Sequence, residues 1–182
     1  FTSNPVCGPA RSALQTGRYP TSTGCFTNNR PLPRDARTLA HHFSAAGYAT
    51  GYIGKWHLAS TDPVPADERG GYDFWLGANV LEFNSDEYRT VMYDQEGAPV
   101  LLPGYRSDAC FDAAIRFAAD HHDTPFYLFL SLIEPHHQNE VDAYPAPVGY
   151  EERYQGRWMP PDLATLSAQG GSAHRHMGGY LG

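Results

Sequence analysis

The stretch Phe126–Leu132, Phe-Tyr-Leu-Phe-Leu-Ser-Leu, constrains the fold most strongly because it is continuously apolar. A strand covered on both faces needs no polar alternation, so the run predicts a central parallel strand. A helix is predicted directly before it, over Ser107–His122, with Ser107 or Asp108 as its N-cap. Helix, short turn and parallel strand together form the repeating unit of α/β folds.

The same order of elements occurs earlier in the chain. A helix is predicted over Thr38–Ala46, followed by a buried strand over Tyr48–Gly54. Alternation along the chain puts Lys55 and His57 on one side and Trp56 on the other. Ligands of open α/β sheets bind beyond the carboxyl ends of the strands, so Lys55 and His57 are candidates for binding an anion and moving a proton. A solvated lysine and a packed histidine are the alternative.

A cysteine lies at the predicted start of the first helix. Pro9 suits the first helical turn, and Gly17 suits the helix end. Cys7 then stands at the positive end of the helix dipole, with Arg11 one turn along the same face. These groups predict an anion site built around the Cys7 sulfur. A cysteine at a helix start beside an unrelated arginine is the alternative.

Two loops and a hairpin are also predicted. Residues 19–37 and 168–176 have loop compositions, the latter with His174 and His176. A hairpin is predicted from Tyr88–Tyr93 and Pro99–Leu102.

Charge is divided unevenly along the 182 residues, whose net charge is −7. Residues 1–60 carry +5 and residues 61–182 carry −12, unless chance clustering explains the split. A basic segment in an acidic chain favours a small anionic substrate and argues against nucleic acid. No apolar run is long enough to span a membrane.

The cysteines Cys7, Cys25 and Cys110 have no zinc-site spacing and do not identify the cellular compartment. Buried free thiols are expected at Cys25 and Cys110. Because the chain opens at Phe1 without methionine and closes at Leu181-Gly182, we expect it to be an excerpt truncated at both ends.

Two signatures and a strand end resemble the type I, formylglycine-dependent sulfatases of the alkaline phosphatase superfamily. The first signature is Cys7-x-Pro-Ala-Arg11 followed by Leu14 and Gly17-Arg18. The second is Gly-Tyr-x-Thr-x-x-x-Gly-Lys-Trp-His-Leu over residues 47–58, and the strand end is Pro135-His136. The resemblance implies an α/β fold with a mixed, mostly parallel sheet sandwiched by helices. Residues 1–182 would be part of a single catalytic domain.

The resemblance also implies the reaction, hydrolysis of a sulfate monoester. Cys7 would be oxidised to formylglycine, whose hydrate would attack sulfur and later release sulfate. Arg11 would fix the hydrate, and His57 would hydrogen-bond it and take its proton. Lys55 and His136 would bind the sulfate oxygens, and one of them would protonate the leaving alcohol.

The family also implies a divalent metal, usually Ca²⁺ with Mg²⁺ as the alternative, and a formylglycine-generating or other sulfatase-maturing enzyme. Adjacent aspartates before the cysteine motif and an Asp plus Asn or His far downstream hold this metal in the family. The present sequence has no Asp-Asp pair, so only residue 7, as formylglycine, is a candidate ligand. A hard cation needs about six oxygens, so the other ligands are expected outside this chain, and the excerpt is expected to be inactive by itself.

Three alternatives to a sulfatase stay open on the sequence. A phosphonate monoester or phosphodiester hydrolase of the same superfamily would use Arg11, Lys55 and His57 for phosphoryl oxygens. A non-catalytic anion-binding fragment would keep Cys7 unmodified. A redox thiol protein would remain active without Lys55 and His57.

Overall fold

The computed structural model describes residues 2–82, 85–138 and 143–154. The predicted loop at 168–176 lies outside these residues. The chain divides into two compact units, Phe1–Ile133 and Glu134–Gly182, and each is described by itself. Within the described residues, no helix is both long enough and apolar enough to cross a membrane.

One mixed sheet organises the described part of the first unit. Its strands are β1 (Ala49–Lys55), β2 (Phe74–Ala78), β3 (Val91–Tyr93), β4 (Pro99–Leu101) and β5 (Phe126–Ser131). Their order in the sheet is β4-β3-β2-β1-β5. Strand β1 pairs in parallel with both β2 and β5, whereas β2, β3 and β4 are joined by antiparallel pairing. The helices are α1 (Cys7–Thr16), α2 (Pro20–Thr23), α3 (Leu39–Ala45) and α4 (Arg106–Asp120), and a 3-10 turn spans Ala66–Glu68.

Helices cover both faces of this sheet. Tyr52 of β1 faces the side of α3, where it stacks on Trp75 with ring centroids 5.1 Å apart. Its neighbour Ile53 faces the other side and belongs to the cluster that contains Ala109 and Ala113 of α4. Successive β1 side chains thus pack into two separate apolar layers on opposite faces of the sheet, as the two-residue period of a strand requires.

Several predicted elements differ from the structure in detail. Among the described residues β5 pairs only with β1, so the predicted central strand lies at the sheet edge. Helix α4 starts at Arg106, whose amide donates to Glu87 O (2.8 Å), and its N-cap Tyr105 makes no side-chain capping bond. The predicted caps Ser107 and Asp108 are therefore wrong. Short helix α2 lies inside the predicted 19–37 loop, whereas the hairpin prediction is confirmed by β3 and β4.

The described residues of the second unit form local structure only. Gln138 and Ala143 make an isolated antiparallel bridge, and the rings of His137 and Tyr144 are 5.1 Å apart. Helix α5 spans Glu151–Tyr154.

Candidate active site

The start of α1 lies against the loop that follows β1. Cys7 is the first helical residue, and its free thiol side chain is half-buried. The amide of Gly8 donates to Asn28 Oδ1 at 2.8 Å. A Cβ atom at Gly8 would lie 3.3 Å from the carbonyl oxygen of His57, closer than most such contacts. Glycine at position 8 therefore lets the Cys7 turn approach the His57 backbone closely.

Arg11 joins α1 to the ends of two strands. Its Nη1 donates to Lys55 O at 2.7 Å and to Ser131 Oγ at 2.6 Å. The same Lys55 carbonyl accepts from Ser131 Oγ at 2.8 Å and from the Tyr52 hydroxyl. One nitrogen of Arg11 thus fixes the first helix at the point where β1 and β5 both end.

The close packing of β1 on β5 explains the glycine before Lys55. Gly54 has φ of 115°, a conformation that residues with a Cβ atom rarely adopt. A Cβ atom there would lie 2.0 Å from Ser131 O. The glycine before Lys55 in the second signature is therefore a requirement of strand packing.

Lys55 and His57 converge on one carboxylate, that of Glu82. The Lys55 side chain is 1% exposed, and its Nζ lies 2.5 Å from Glu82 Oε1. His57 has φ of 56° and leaves β1 with its amide donating to Asn79 O at 2.8 Å. Its Nδ1 lies 4.0 Å from the same Glu82 oxygen. Trp56, between them, is buried in the opposite apolar cluster, in accord with the predicted alternation.

Burial and charge act against each other in this pair. Burial lowers the pKa of Lys55, and the hydrogen bond and charge of Glu82 act in the opposite direction. Burial alone would raise the pKa of Glu82, but the hydrogen bond and charge of Lys55, together with smaller contributions that include a backbone hydrogen bond, lower that pKa. Glu82 is therefore ionised at neutral pH and favours the protonated form of Lys55.

The structure brings four predicted site residues together in the first unit: Cys7, Arg11, Lys55 and His57. His136 belongs to the second unit, where it is exposed and its Nδ1 lies 2.6 Å from His137 O.

Sequence reasoning missed two residues that contact the site. Ser131 ends β5, and its hydroxyl links Arg11 to Lys55. Glu82 follows β2, a strand that was not predicted, so its place beside Lys55 could not be derived. A polar residue just beyond a parallel neighbour of β1 is the signal that would have identified Glu82.

The described residues contain no group of three or more His, Cys, Asp or Glu side chains that could hold a metal ion. A Ca²⁺ ion takes six to eight oxygens, so these residues do not by themselves fit one.

Comparisons with known proteins identify the family. The Sulfatase family model matches residues 1–171. An ulvan-active sulfatase of Formosa agariphila is 35% identical over 158 residues, which cover 82% of this chain and 29% of that protein. An arylsulfatase of Hemicentrotus pulcherrimus is 31% identical over 166 residues, which cover 75% of this chain and 30% of that protein. The chain spans about a third of the length of such relatives.

Solved structures share the architecture. The sulfatase-family structure yidJ from Bacteroides fragilis has a TM-score of 0.74 at 24% identity, covering 92% of this chain and 40% of that one. A second structure, in complex with its substrate D-glucosamine-2-N,6-O-disulfate, has a TM-score of 0.64 at 26% identity, covering 87% of this chain and 33% of that one.

The mixed sheet with helices on both faces is thus the alkaline-phosphatase-like α/β fold, as predicted. The chain belongs to the sulfatase family, whose members in general depend on a metal and on formylglycine.

Proposed function

We propose that the protein carrying this chain is a sulfuric ester hydrolase that converts R–O–SO₃⁻ and water into R–OH and sulfate. Residues 1–182 would form part of its catalytic domain. Family membership supports the reaction class. The proposal depends on one observation in particular: Gly8 and Arg11 hold the Cys7 turn against the backbone of His57 and Lys55.

Cys7 would be the nucleophilic position after its conversion to formylglycine. Formylglycine would supply a hydrated aldehyde. One of its hydroxyls would bond to sulfur as the bond from sulfur to the alcohol oxygen breaks, and loss of a proton from the other hydroxyl would then restore the aldehyde and release sulfate. His57, whose backbone lies against the Cys7 turn, would hydrogen-bond the hydrate and accept its proton.

Lys55 would hold sulfate oxygens with its ammonium group. Among the described residues, Glu82 is the hydrogen-bond partner of Lys55 Nζ, and an ammonium has three N–H donors. Two donors are thus left for an anion. The charge that builds up on sulfate oxygens in the transition state would make these bonds strongest there.

Arg11 and His136 would be the remaining residues of the proposed catalytic site. The Nη1 atom of Arg11 donates hydrogen bonds to the strand ends, and the positive charge of Arg11 would offset negative charge near residue 7. His136 would contact the sulfate, and either His136 or Lys55 would protonate the leaving alcohol.

A divalent cation, Ca²⁺ or else Mg²⁺, is proposed on the family's general dependence on a metal. Formylglycine at position 7 would be its one ligand from this chain. Because the described residues do not fit a cation by themselves, no step of the mechanism is derived through it.

The substrate would be a small anionic sulfate ester. The +5 charge of residues 1–60 supports an anion. A relative named for ulvan and a structural neighbour bound to a disulfated glucosamine support a sulfated sugar as the alcohol.

The modification of Cys7 is tested by mass spectrometry of the full-length protein, made with and without a formylglycine-generating enzyme as its maturation partner. Conversion of cysteine to formylglycine lowers the mass of the Cys7 peptide by about 18 Da. Activity should follow the modified fraction and vanish in Cys7→Ala. An active protein with an unshifted peptide would contradict the mechanism.

The reaction class is tested by comparing kcat/KM for an aryl sulfate, an aryl phosphonate and sulfated sugars. We expect the sulfates to be preferred. A preference for the phosphonate would overturn the assignment in favour of a phosphonate hydrolase.

A further inference from the structure

A buried carboxylate adjoins the proposed sulfate-binding groups. The Glu82 side chain is 3% exposed, and its two oxygens have different partners. Oε1 contacts Lys55 and lies 4.0 Å from His57 Nδ1, whereas Oε2 accepts from the amide of Leu81 at 3.2 Å. A negative group is unexpected where an anion must bind, so its presence requires a physical reason.

The chain around Glu82 is firmly anchored. Before it, the side chain of Asn79 makes two hydrogen bonds to the backbone of Ala59, at 2.9 and 3.0 Å. Asp62 accepts from the amides of Asn79 and Val80 at 2.6 and 3.2 Å. These bonds fix the segment after β2 to the loop after β1, and so fix the carboxylate relative to Lys55.

The electrostatic reason lies in the burial of Lys55. An unpaired buried ammonium is costly and tends to lose its proton, and a neutral amine binds sulfate poorly. The charged groups that act on Lys55 are Glu82, which favours its protonated form, and Arg11, which disfavours it; the Cys7 side chain, which also favours it, would be replaced by formylglycine in the mature protein. Of these, Glu82 makes the direct hydrogen bond.

We propose that Glu82 is a positioning residue that keeps Lys55 charged and oriented. This inference rests on the proposed sulfatase function. Glu82 acts through Lys55 and forms no bond to the substrate. One ammonium proton is held by the carboxylate, and the other two stay available for sulfate oxygens.

The test compares Glu82→Gln with Glu82→Asp in the full-length, mature protein. Glutamine keeps the shape and loses the charge, whereas aspartate keeps the charge. We expect kcat/KM for an aryl sulfate to fall about 10- to 100-fold in Glu82→Gln, as for other partners that orient a ligand, and to recover partly in Glu82→Asp. The alkaline limb of the pH profile should move to lower pH in Glu82→Gln alone, because Lys55 then loses its proton sooner.

Glu68→Gln is the matched control. Glu68 is another poorly exposed carboxylate, paired with Arg34 Nη2 at 2.8 Å and bonded to the Ser60 amide, and among the described residues its hydrogen-bond partners lie outside the proposed site. Its neutralisation should leave the pH profile unchanged. Equal shifts in Glu68→Gln and Glu82→Gln would overturn the proposal.

A second readout does not depend on catalysis. Lys55 is the single lysine of this sequence, and its ¹³Cε signal in ¹³C-lysine-labelled protein can be assigned by its loss in Lys55→Arg. The titration midpoint of that signal should fall in Glu82→Gln and stay near the wild-type value in Glu82→Asp. An unchanged midpoint overturns the role of Glu82. Absence of sulfatase activity in the wild-type protein, with the shifted midpoint present, overturns the proposed function and leaves the pairing supported.

Discussion

Two of the buried cations of the first unit, Arg69 and Lys55, are held in different ways. Arg69 is 5% exposed, and its guanidinium donates to the carbonyls of Val64 (3.0 Å) and Gln95 (2.7 Å). Lys55 is 1% exposed, and its ammonium donates to the carboxylate of Glu82. Burial lowers the pKa of both side chains, so neither burial nor pKa distinguishes them.

The partners do distinguish them. The planar guanidinium of Arg69 offers several fixed donors, which suits the joining of two loop backbones. Lys55 ends a parallel strand and, among the described residues, hydrogen-bonds to one carboxylate. In the proposed function its other donors bind a ligand beyond the carboxyl ends of the strands. A buried cation thus indicates a functional site when it lies where ligands bind and still has donors that no protein group uses. It indicates a structural bridge when backbone carbonyls accept from its donors.

The largest expected effect comes from the glycines beside these cations. In Gly54→Ala the added Cβ would meet the backbone oxygen of Ser131 at 2.0 Å, and a positive φ would add strain. We expect a loss of more than about 4 kcal/mol of unfolding free energy, or no folded protein. Gly70→Ala, next to Arg69, meets the Trp56 ring at 2.8 Å and should cost less. Urea unfolding of both variants measures these losses. A smaller loss in Gly54→Ala than in Gly70→Ala would show that β1 and β5 can move apart to accommodate the added Cβ, and would contradict the prediction.

Lys55→Met should lower kcat/KM for an aryl sulfate by about 10²- to 10³-fold, because a donor to the developing charge is lost. The variant also leaves Glu82 buried without its cation, which should lower the melting temperature. The double variant Lys55→Met/Glu82→Gln should recover stability and not activity. Recovery of activity in the double variant would show that Lys55 only neutralises Glu82.

Arg69→Met should lower the stability of the protein without lowering its activity. The Val64 carbonyl loses a donor in a buried region, whereas the Gln95 carbonyl is only partly buried and can bind water, so we expect a loss of about 1–2 kcal/mol in unfolding free energy. The catalytic constants of the folded enzyme should stay unchanged. A drop in kcat/KM at a temperature where the variant is fully folded would show that Arg69, like Lys55, contributes to function.

Local patterns in the sequence predicted much of this fold. Helix α1 ends at Gly17, which adopts the left-handed conformation with φ of 66°, and α3 follows Thr38. Strands β1 and β5 were predicted because their residues are apolar and β-forming. Phe74–Ala78 was not predicted as β2, because five residues rich in aromatics and glycine after a Gly-Gly turn have no clear period.

The site was predictable only in part, for a related reason. Lys55 and His57 follow a recognisable strand, so their proximity could be inferred from position. Glu82 reaches them because β2 pairs in parallel with β1, and Ser131 because β5 does. Strand order and register are tertiary properties, which single-sequence periodicity does not determine.

The smallest expected effect concerns the helix start beside Arg69. Thr38 and His41 form a capping box at the start of α3, in which the Thr38 amide donates to His41 Nδ1 at 3.1 Å, and the Thr38 hydroxyl donates to Gly70 O. Burial, with the charges of Arg37 and His42, lowers the pKa of His41. A protonated Nδ1 cannot accept this bond, so the cap needs neutral histidine.

Because the pKa of His41 is lower in the folded than in the unfolded chain, the unfolded chain binds the proton first as the pH falls. The stabilising contribution is therefore complete above about pH 6.5 and is lost as the pH falls through the folded value. His41→Gln, which keeps a capping-box residue without a titrating group, should match the wild type at pH 7.5 and exceed it at pH 5. His41→Ala should cost about 1 kcal/mol at pH 7.5. Urea unfolding at both pH values measures these differences, and parallel pH dependence in wild type and His41→Gln would exclude His41 as the source.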